Sequence, residues 1–369
     1  MAHSYQVLLD GKPLDPQLMG AIDSLEVEEH LELPSALELS LPVMRTEAGD
    51  LAFVNEKAFQ PFANLAVVVT ADGQSPECIF DGYVLSQRLH LEQGAAASRL
   101  TVFGQDISFR MNLEERVREW SGMTDAGVAK AIFEEHGFVP AQANDKNDSG
   151  AHVEGAHTLM QRASDIQFLR ALARRTGKLC RVACGARAGE YTGYFVTPKL
   201  EGDPAVTLSL QAPEGSQIAA LDFEWDVTRP TAVTAAAAVF HSPDEDGANG
   251  DTEDSGLPLL SDRSLADFSG QTMSVALTTN ADDAGELLLR SASLVREASF
   301  FAKCNGTVDL DVVGRVMRVG TLAAINGAGT LNSGNYLIWN VRHSIKPQRY
   351  TLGFGLVRNA VGTPPGGLP

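Results

Sequence analysis

Cysteine is scarce, with four in 369 residues, too few for the disulfide framework of a small secreted scaffold. The closest pair, Cys180 and Cys184, falls in an expected strand, 178–184, where four residues span about 13 Å and exceed disulfide reach. Reduced thiols are expected. The same pair has no neighbouring Cys or His pair to complete four metal ligands. Long apolar runs are also missing. Leu65–Val69 and Ala232–Phe240 fall far below the roughly 18 to 20 residues that cross a bilayer, so no membrane helix is expected. Residues 1–12 lack the basic and apolar segments of a secretory signal, and export by the general pathway is not expected. Positive charge is in deficit: 29 Lys and Arg against 47 Asp and Glu give a net −18, which disfavours nucleic acid and anionic membranes as partners. Only three tryptophans occur, Trp120, Trp225 and Trp339, a weak basis for a carbohydrate-binding aromatic platform.

Catalytic signatures are absent too. There is no G-x-S-x-G elbow, no G-x-x-x-x-G-K-[ST] phosphate loop, no H-E-x-x-H and no complete G-x-G-x-x-G. Gly327-Ala328-Gly329 lies between expected strands and reads as a turn.

What the chain does have is an ordinary globular composition, 44% hydrophobic and 21% charged, at a length suited to two or three domains. Its charge is uneven. Residues 1–60 hold 11 acids and 3 bases, and residues 241–284 hold 10 and 1, whereas residues 285–369 hold 4 acids and 9 bases. An acidic front and a basic end suit pairing between copies or with a partner, or simply solvated faces.

The first hundred residues alternate as strands. Tyr5–Leu9 and Lys12–Leu14 flank the turn dipeptide Asp10-Gly11, Ser24–His30 and Ala36–Leu41 flank Pro34-Ser35, and Leu65–Thr70, Ile79–Leu91 and Arg99–Gly104 follow. The period then turns helical. Asp106–Trp120 reads as a short helix or extended arm, Thr124 caps a helix ending near His136-Gly137, and Ser164-x-x-Gln167 reads as a capping box opening Asp165–Thr176, stopped by Gly177. A hairpin around Gly185–Gly189 follows. Strands return at Ile218–Val227 and Ala232–Phe240, then an acidic tract, His241–Pro258, reads as a mobile surface loop, and Ala281–Ala302 as the longest helix. Strands at Thr307–Val313, Thr321–Asn326, Tyr336–Ile345 and Arg349–Val357 precede a Pro/Gly tail, 362–369. The class is mainly β with an α+β insertion. The expected units are a first β-barrel domain over 1–108, a middle α+β domain over 109–217, a second β-barrel domain over 218–361 with the long helix at 281–302, and a flexible tail at 362–369.

An internal correspondence stands out. Gly82-Tyr83, His90 and Arg99-Leu100-Thr101 in the first β region match Gly334-Asn335-Tyr336, His343 and Arg349-Tyr350-Thr351 in the last, with seven residues from Tyr to His in both. A duplicated barrel is the reading, with Tyr83, His90 and Thr101 matching Tyr336, His343 and Thr351.

Few residues offer chemistry. His152, Glu154 and His157 form the best metal candidate but read as a solvated loop. Asp251, Glu253, Ser255 and Asp262 imitate a calcium loop with wrong residues at key places and no flanking helix pair. His90 and His343 lack a carboxylate at fixed spacing and read as residues that cap or pack a barrel. Glu114-Glu115 and Glu134-Glu135 read as exposed helix faces. No catalytic residue, cofactor or metal is expected.

Ser24–Leu41 with its Leu-Glu-Leu-Pro-Ser-Ala-Leu-Glu-Leu run, Gly82-Tyr83-Val84, Gly104-Gln105-Asp106, Ser164–Ala173 with Gly177, and the stretch from Gly334-Asn335-Tyr336 to Arg358-Asn359-Ala360 together resemble the phage late control gene D family. That family is the central baseplate hub of contractile tails and is similar to the N-terminal region of VgrG spikes. The resemblance spans about residues 5–360. It implies a homotrimer whose two barrels per chain form a pseudo-sixfold ring, adapting a sixfold tail tube to a threefold spike. It further implies a separate spike protein on one side, a tail tube or tube-initiator protein on the other, surrounding baseplate wedge proteins, and synthesis in a host cytoplasm for a virion or injection-particle baseplate. The alternatives are a tail-associated cell-wall hydrolase and a VgrG-like hub of a secretion or bacteriocin system.

Overall fold

The computed structural model describes residues 3–93, 98–141, 147–153, 158–210, 218–237, 248–279 and 284–363. The chain is mainly β, 43% strand against 21% helix.

Thirteen strands form one sheet, and the hairpin 24–42 is its centre. Ala36–Pro42 pairs antiparallel with Arg99–Asp106, which continues through Glu77–His90 and Asn64–Ala71 to His3–Leu9. In the other direction Ser24–His30 pairs with Gly334–Lys346, which continues through Arg349–Arg358 and Ala302–Asp309 to Leu221–Trp225. Leu322–Asn326 also pairs with Gly334–Lys346 and takes Val206–Ser209 as a parallel neighbour. Alternation explains why these segments are strands: Leu25 and Val27 point inward while Glu28 is exposed, and Leu37 and Leu39 face them from the next strand. One continuous core runs from Val7 through Leu25, Leu39 and Val67 to Val341 and Leu356, so the two halves share an interior.

A middle α+β region has its own core. Glu115–Trp120 pairs with Leu159–Ser164, and Leu179–Cys184 with Tyr191–Val196. Helices Asp125–Glu135 and Asp165–Thr176 set Val128, Ile132, Phe133, Leu169 and Leu172 against them. A smaller unit joins Ala232–Ala237 to Ser274–Leu277 in parallel, under helix Ala284–Ser299, which contributes Leu287 and Val295.

Several expectations hold. Asp10 and Gly11 have φ of 49° and 76° and turn the first strand onto Lys12–Pro13. Thr124 Oγ1 accepts from the Gly127 N–H, and Gly177 ends its helix at φ 65°. Others are corrected. Ser164 precedes its helix but caps nothing, because its hydroxyl donates to Asn112 Oδ1 at 2.6 Å. Glu115 opens a strand rather than lying on a helix face, although the short helix expected in 106–120 is present as the 3-10 helix Ile107–Asn112. The long helix is Ala284–Ser299, within the expected 281–302, and Ala302 already begins a strand. Residues 310–313 are a helical turn ended by Gly314 at φ 68°.

The described part of the acidic tract is not loose. Thr252 bridges Val233, and Asp251 Oδ1 accepts from the Ala235 N–H at 2.9 Å. Asp251 and Asp254 accept from main-chain donors, which is why polarity alone misled. Residues 238–247, and 364–369 of the tail, lie outside the described residues; Val361 is buried and pairs with Arg263.

Candidate functional site

Glu29 continues the inward face of Leu25 and Val27, and His343 sits between Val341 and Ile345 on the strand beside it. Period two therefore carries a carboxylate and an imidazole into the interior where the two sheet halves meet. The loop residue Arg318 answers them, its Nε 2.8 Å from Glu29 Oε1 and 3.2 Å from Oε2, and its Nη1 donates to the Cys78 carbonyl at 2.9 Å. His343 Nδ1 shares a 2.7 Å hydrogen bond with the Tyr350 hydroxyl, and Nε2 stands 3.5 Å from Glu29. Burial pushes the Glu29 carboxyl up, but Arg318, His343 and Arg181 outweigh it and hold the group down at about 2. Burial raises the Tyr350 hydroxyl well above its ordinary value, with the Glu29 charge adding to it. The cluster is a largely buried ionic knot between the halves.

The acidic front and the basic end thus meet within one chain. Besides Glu29 with Arg318, Glu28 pairs with Arg342 at 3.2 Å across neighbouring strands. His90, the partner assigned to His343 from sequence, is at the surface with 64% of its side chain exposed and packs no interior.

The metal candidates separate. His152 is buried rather than solvated, and its Nε2 lies 2.8 Å from Asp125 Oδ1, which also takes Arg175 at 2.5 Å. Glu154 and His157 lie outside the described residues. Asp254 accepts from the Gly256 N–H within its own turn, so Asp251 and Asp254 serve the backbone. Among the described residues no group of three or more His, Cys, Asp or Glu is placed to hold a metal. A second buried set joins Asp165 to His136 at 2.8 Å, Gln161 at 2.6 Å and Arg116 at 3.1 Å, with Trp120 donating to Gln161 at 3.0 Å. In both sets burial raises the aspartate and the His and cationic neighbours more than reverse it, so Asp125 and Asp165 are lowered.

An open groove of about 790 Å³ runs between the middle region and the sheet, with Arg170, Arg174, Glu32 and Glu297 on its walls beside Trp339 and Phe300. Burial raises the Glu32 carboxyl, Glu297 raises it further, and Arg174 opposes them. At its floor Arg296, fully buried, donates to the Ser255 and Thr176 carbonyls at 2.8 and 3.0 Å and ties the helix Ala284–Ser299 to the end of Asp165–Thr176. The sequence signal for Glu29, a charged residue on the apolar face of an alternating strand, was present. No local signal existed for Arg318, whose partner is 289 residues away.

The fold is that of tail proteins. The structure matches the 43 kDa tail protein of prophage MuSo2 from Shewanella oneidensis at a TM-score of 0.67 and 14% identity, over 97% of this chain and 99% of that one. It matches a tail protein from Neisseria meningitidis at 0.65 and 13%, over 98% of each chain. A type VI secretion system component from E. coli follows at 0.56 and 14%, over 99% of this chain and 80% of that one. No curated protein is a match. No helix among the described residues is long and apolar enough to cross a membrane. A family model described as the Alg8 N-terminal domain matches residues 2–347, and the chain belongs to that family.

Proposed function

We propose that the protein is the structural baseplate hub of a contractile tail or injection machine, of the late control gene D type, and that it adapts a sixfold tube to a threefold spike as a homotrimer. The observation that carries the reading is the likeness to phage tail proteins over nearly the whole of both chains. The two sheet halves flanking the hairpin 24–42 support it, since each contains a long antiparallel hairpin of the kind a duplicated barrel requires. On this reading the barrels correspond to the units 1–108 and 218–361, the middle α+β unit to 109–217, and 362–369 is a tail. The partners are a separate spike protein, a tube or tube-initiator protein and baseplate wedge proteins. On this reading the role is structural rather than enzymatic.

The test is mass and symmetry. Light scattering at high concentration should give three times the 39.4 kDa chain, and class averages of particles should show a threefold ring with six similar lobes. A monomer that stays monomeric with tube and spike proteins present overturns the proposal. A muramidase or peptidase activity in the purified chain would favour the hydrolase alternative instead.

A further inference from the structure

Cys78 is the second residue of the strand Glu77–His90 of the large sheet, and Cys184 ends the strand Leu179–Cys184 of the middle region. Their separation of 106 residues hides the pair from any reading of spacing. In space they touch. The Cys184 S–H donates to the Cys78 carbonyl at 2.9 Å, the Cys78 S–H to the Phe80 carbonyl at 3.2 Å, and the Cys78 N–H to the Ala186 carbonyl at 3.1 Å. Arg318 reaches the same place, with Nη2 3.6 Å from Cys184 Sγ. Cys78 is fully buried, whereas Cys184 is partly exposed.

We propose that Cys184 is a peroxide-reactive thiolate and Cys78 its resolving partner, so that oxidation clasps the large sheet to the middle region with a disulfide. Two features separate this thiol from the others: it alone of the four is partly exposed, and the Arg318 guanidinium lies against its sulfur. The neighbouring Cys78 thiol lowers Cys184, burial opposes it, and the Arg318 guanidinium lowers it further. Burial pushes Cys180 and Cys304 up to about 12, which leaves them protonated and inert. The chemistry balances with a hydroperoxide as oxidant. The Cys184 thiolate attacks one peroxide oxygen, the O–O bond breaks, and a sulfenic acid and hydroxide result; the proton that Cys184 gave up turns that hydroxide into water. The neighbouring Cys184 and burial both hold Cys78 protonated, and the first of these is removed once the thiolate is spent. Its sulfur then attacks Cys184 sulfur, the S–O bond breaks, and the leaving hydroxide takes the Cys78 proton. Two thiols and one peroxide become one disulfide and two waters.

The experiment exposes the native chain to stoichiometric hydrogen peroxide and counts free thiols, then maps peptides without reductant. The expected result is a fall from four thiols to two, a linked Cys78–Cys184 peptide, a melting temperature raised by several degrees, and full reversal by dithiothreitol. Cys184→Ser should keep its three thiols, and Cys78→Ser should trap a dimedone adduct on Cys184. Four thiols surviving in the wild-type chain, or alkylation of Cys184 no faster than of Cys180 and Cys304, overturns the reactive thiolate. Sulfinic acid at Cys184 without a crosslink overturns the role of Cys78. The wild-type count and peptide map decide the matter even where a serine variant fails to fold.

Discussion

The hairpins 77–106 and 334–358 are built alike and buried differently. Each is a long antiparallel pair interrupted once, between Val84 and Ser86 in the first and between Ile338 and Asn340 in the second. Beyond the interruption they diverge. Residues 86–90 are all exposed, whereas Val341, His343 and Ile345 are buried. The neighbours explain it: Asn64–Ala71 accompanies the first hairpin only as far as Tyr83, leaving a free arm, while Ser24–His30 covers the second from Asn340 to Ile345. The same local motif becomes core or surface according to which strand lies beside it.

The largest way to break this contrast is at Arg318. Arg318→Met strands the Glu29 carboxylate in the interior and should cost about 3–5 kcal/mol in urea unfolding. Arg88, over the Phe103 ring on the exposed arm, should cost under about 1 kcal/mol as Arg88→Met. Equal losses would mean that the junction is not held by its ionic knot.

Acid should act on the same knot. Glu29 has its pKa lowered from 4.5 to about 2 in the folded chain. Such a group contributes stability fully present above the unfolded value and lost as pH falls from about 4.5 towards 2, a loss of about 3 kcal/mol for a shift of this size. Asp125 and Asp165 are lowered too and lose stability in the same direction. Denaturant titrations between pH 6 and 2 should show the decline, and Glu29→Gln should flatten it. An unchanged slope in that variant would remove Glu29 from the account.

The alternation of Ser24–His30, Ala36–Leu41 and the last two strands was legible, because one buried face imposes period two on the residues themselves. The helix starting at Asp125 was legible from Thr124. What could not be read was pairing across distance: that 24–42 joins the halves, that Glu29 meets Arg318, or that Cys78 lies against Cys184. The Ser164 capping box failed for the same reason, since Asn112 claims the hydroxyl. The repeat read from the Tyr-to-His spacing does not coincide with the interruptions of the two hairpins. Aligned on the interruption of each hairpin, Tyr83 matches Leu337 and His90 matches Ser344, because that extra residue follows Val84 in one and Ile338 in the other.

Glycines offer a finer test of how closely each hairpin is packed. A Cβ on Gly82 would overlap the Gln105 carbonyl and lie 2.7 Å from Asp106 Cα, both main-chain atoms that cannot swing aside. At Gly353 the nearest atom is Arg342 Cβ at 3.7 Å, an ordinary contact. Gly82→Ala should therefore lose about 2–3 kcal/mol and Gly353→Ala under about 1 kcal/mol, read as thermal midpoints. The reverse order would contradict the close approach in the first hairpin.

The smallest effects come from the two histidines, and they sharpen the comparison most. His343→Ala removes the partner of the Tyr350 hydroxyl and a neighbour of Glu29 inside a closed interior, so a cost of about 2 kcal/mol is expected. His90 has 64% of its side chain in solvent, with Glu92 3.7 Å away. An exposed pair of that kind contributes little, and His90→Ala should change stability by under about 0.5 kcal/mol in the isolated chain. The measurement has a second use. If His90→Ala is silent in dilute monomer yet costs more than about 1 kcal/mol at concentrations where the chain associates, then the arm with Leu89 and Leu91 is covered by another copy. The second hairpin finds that cover within its own chain, in Ser24–His30; the first would then find it only on assembly.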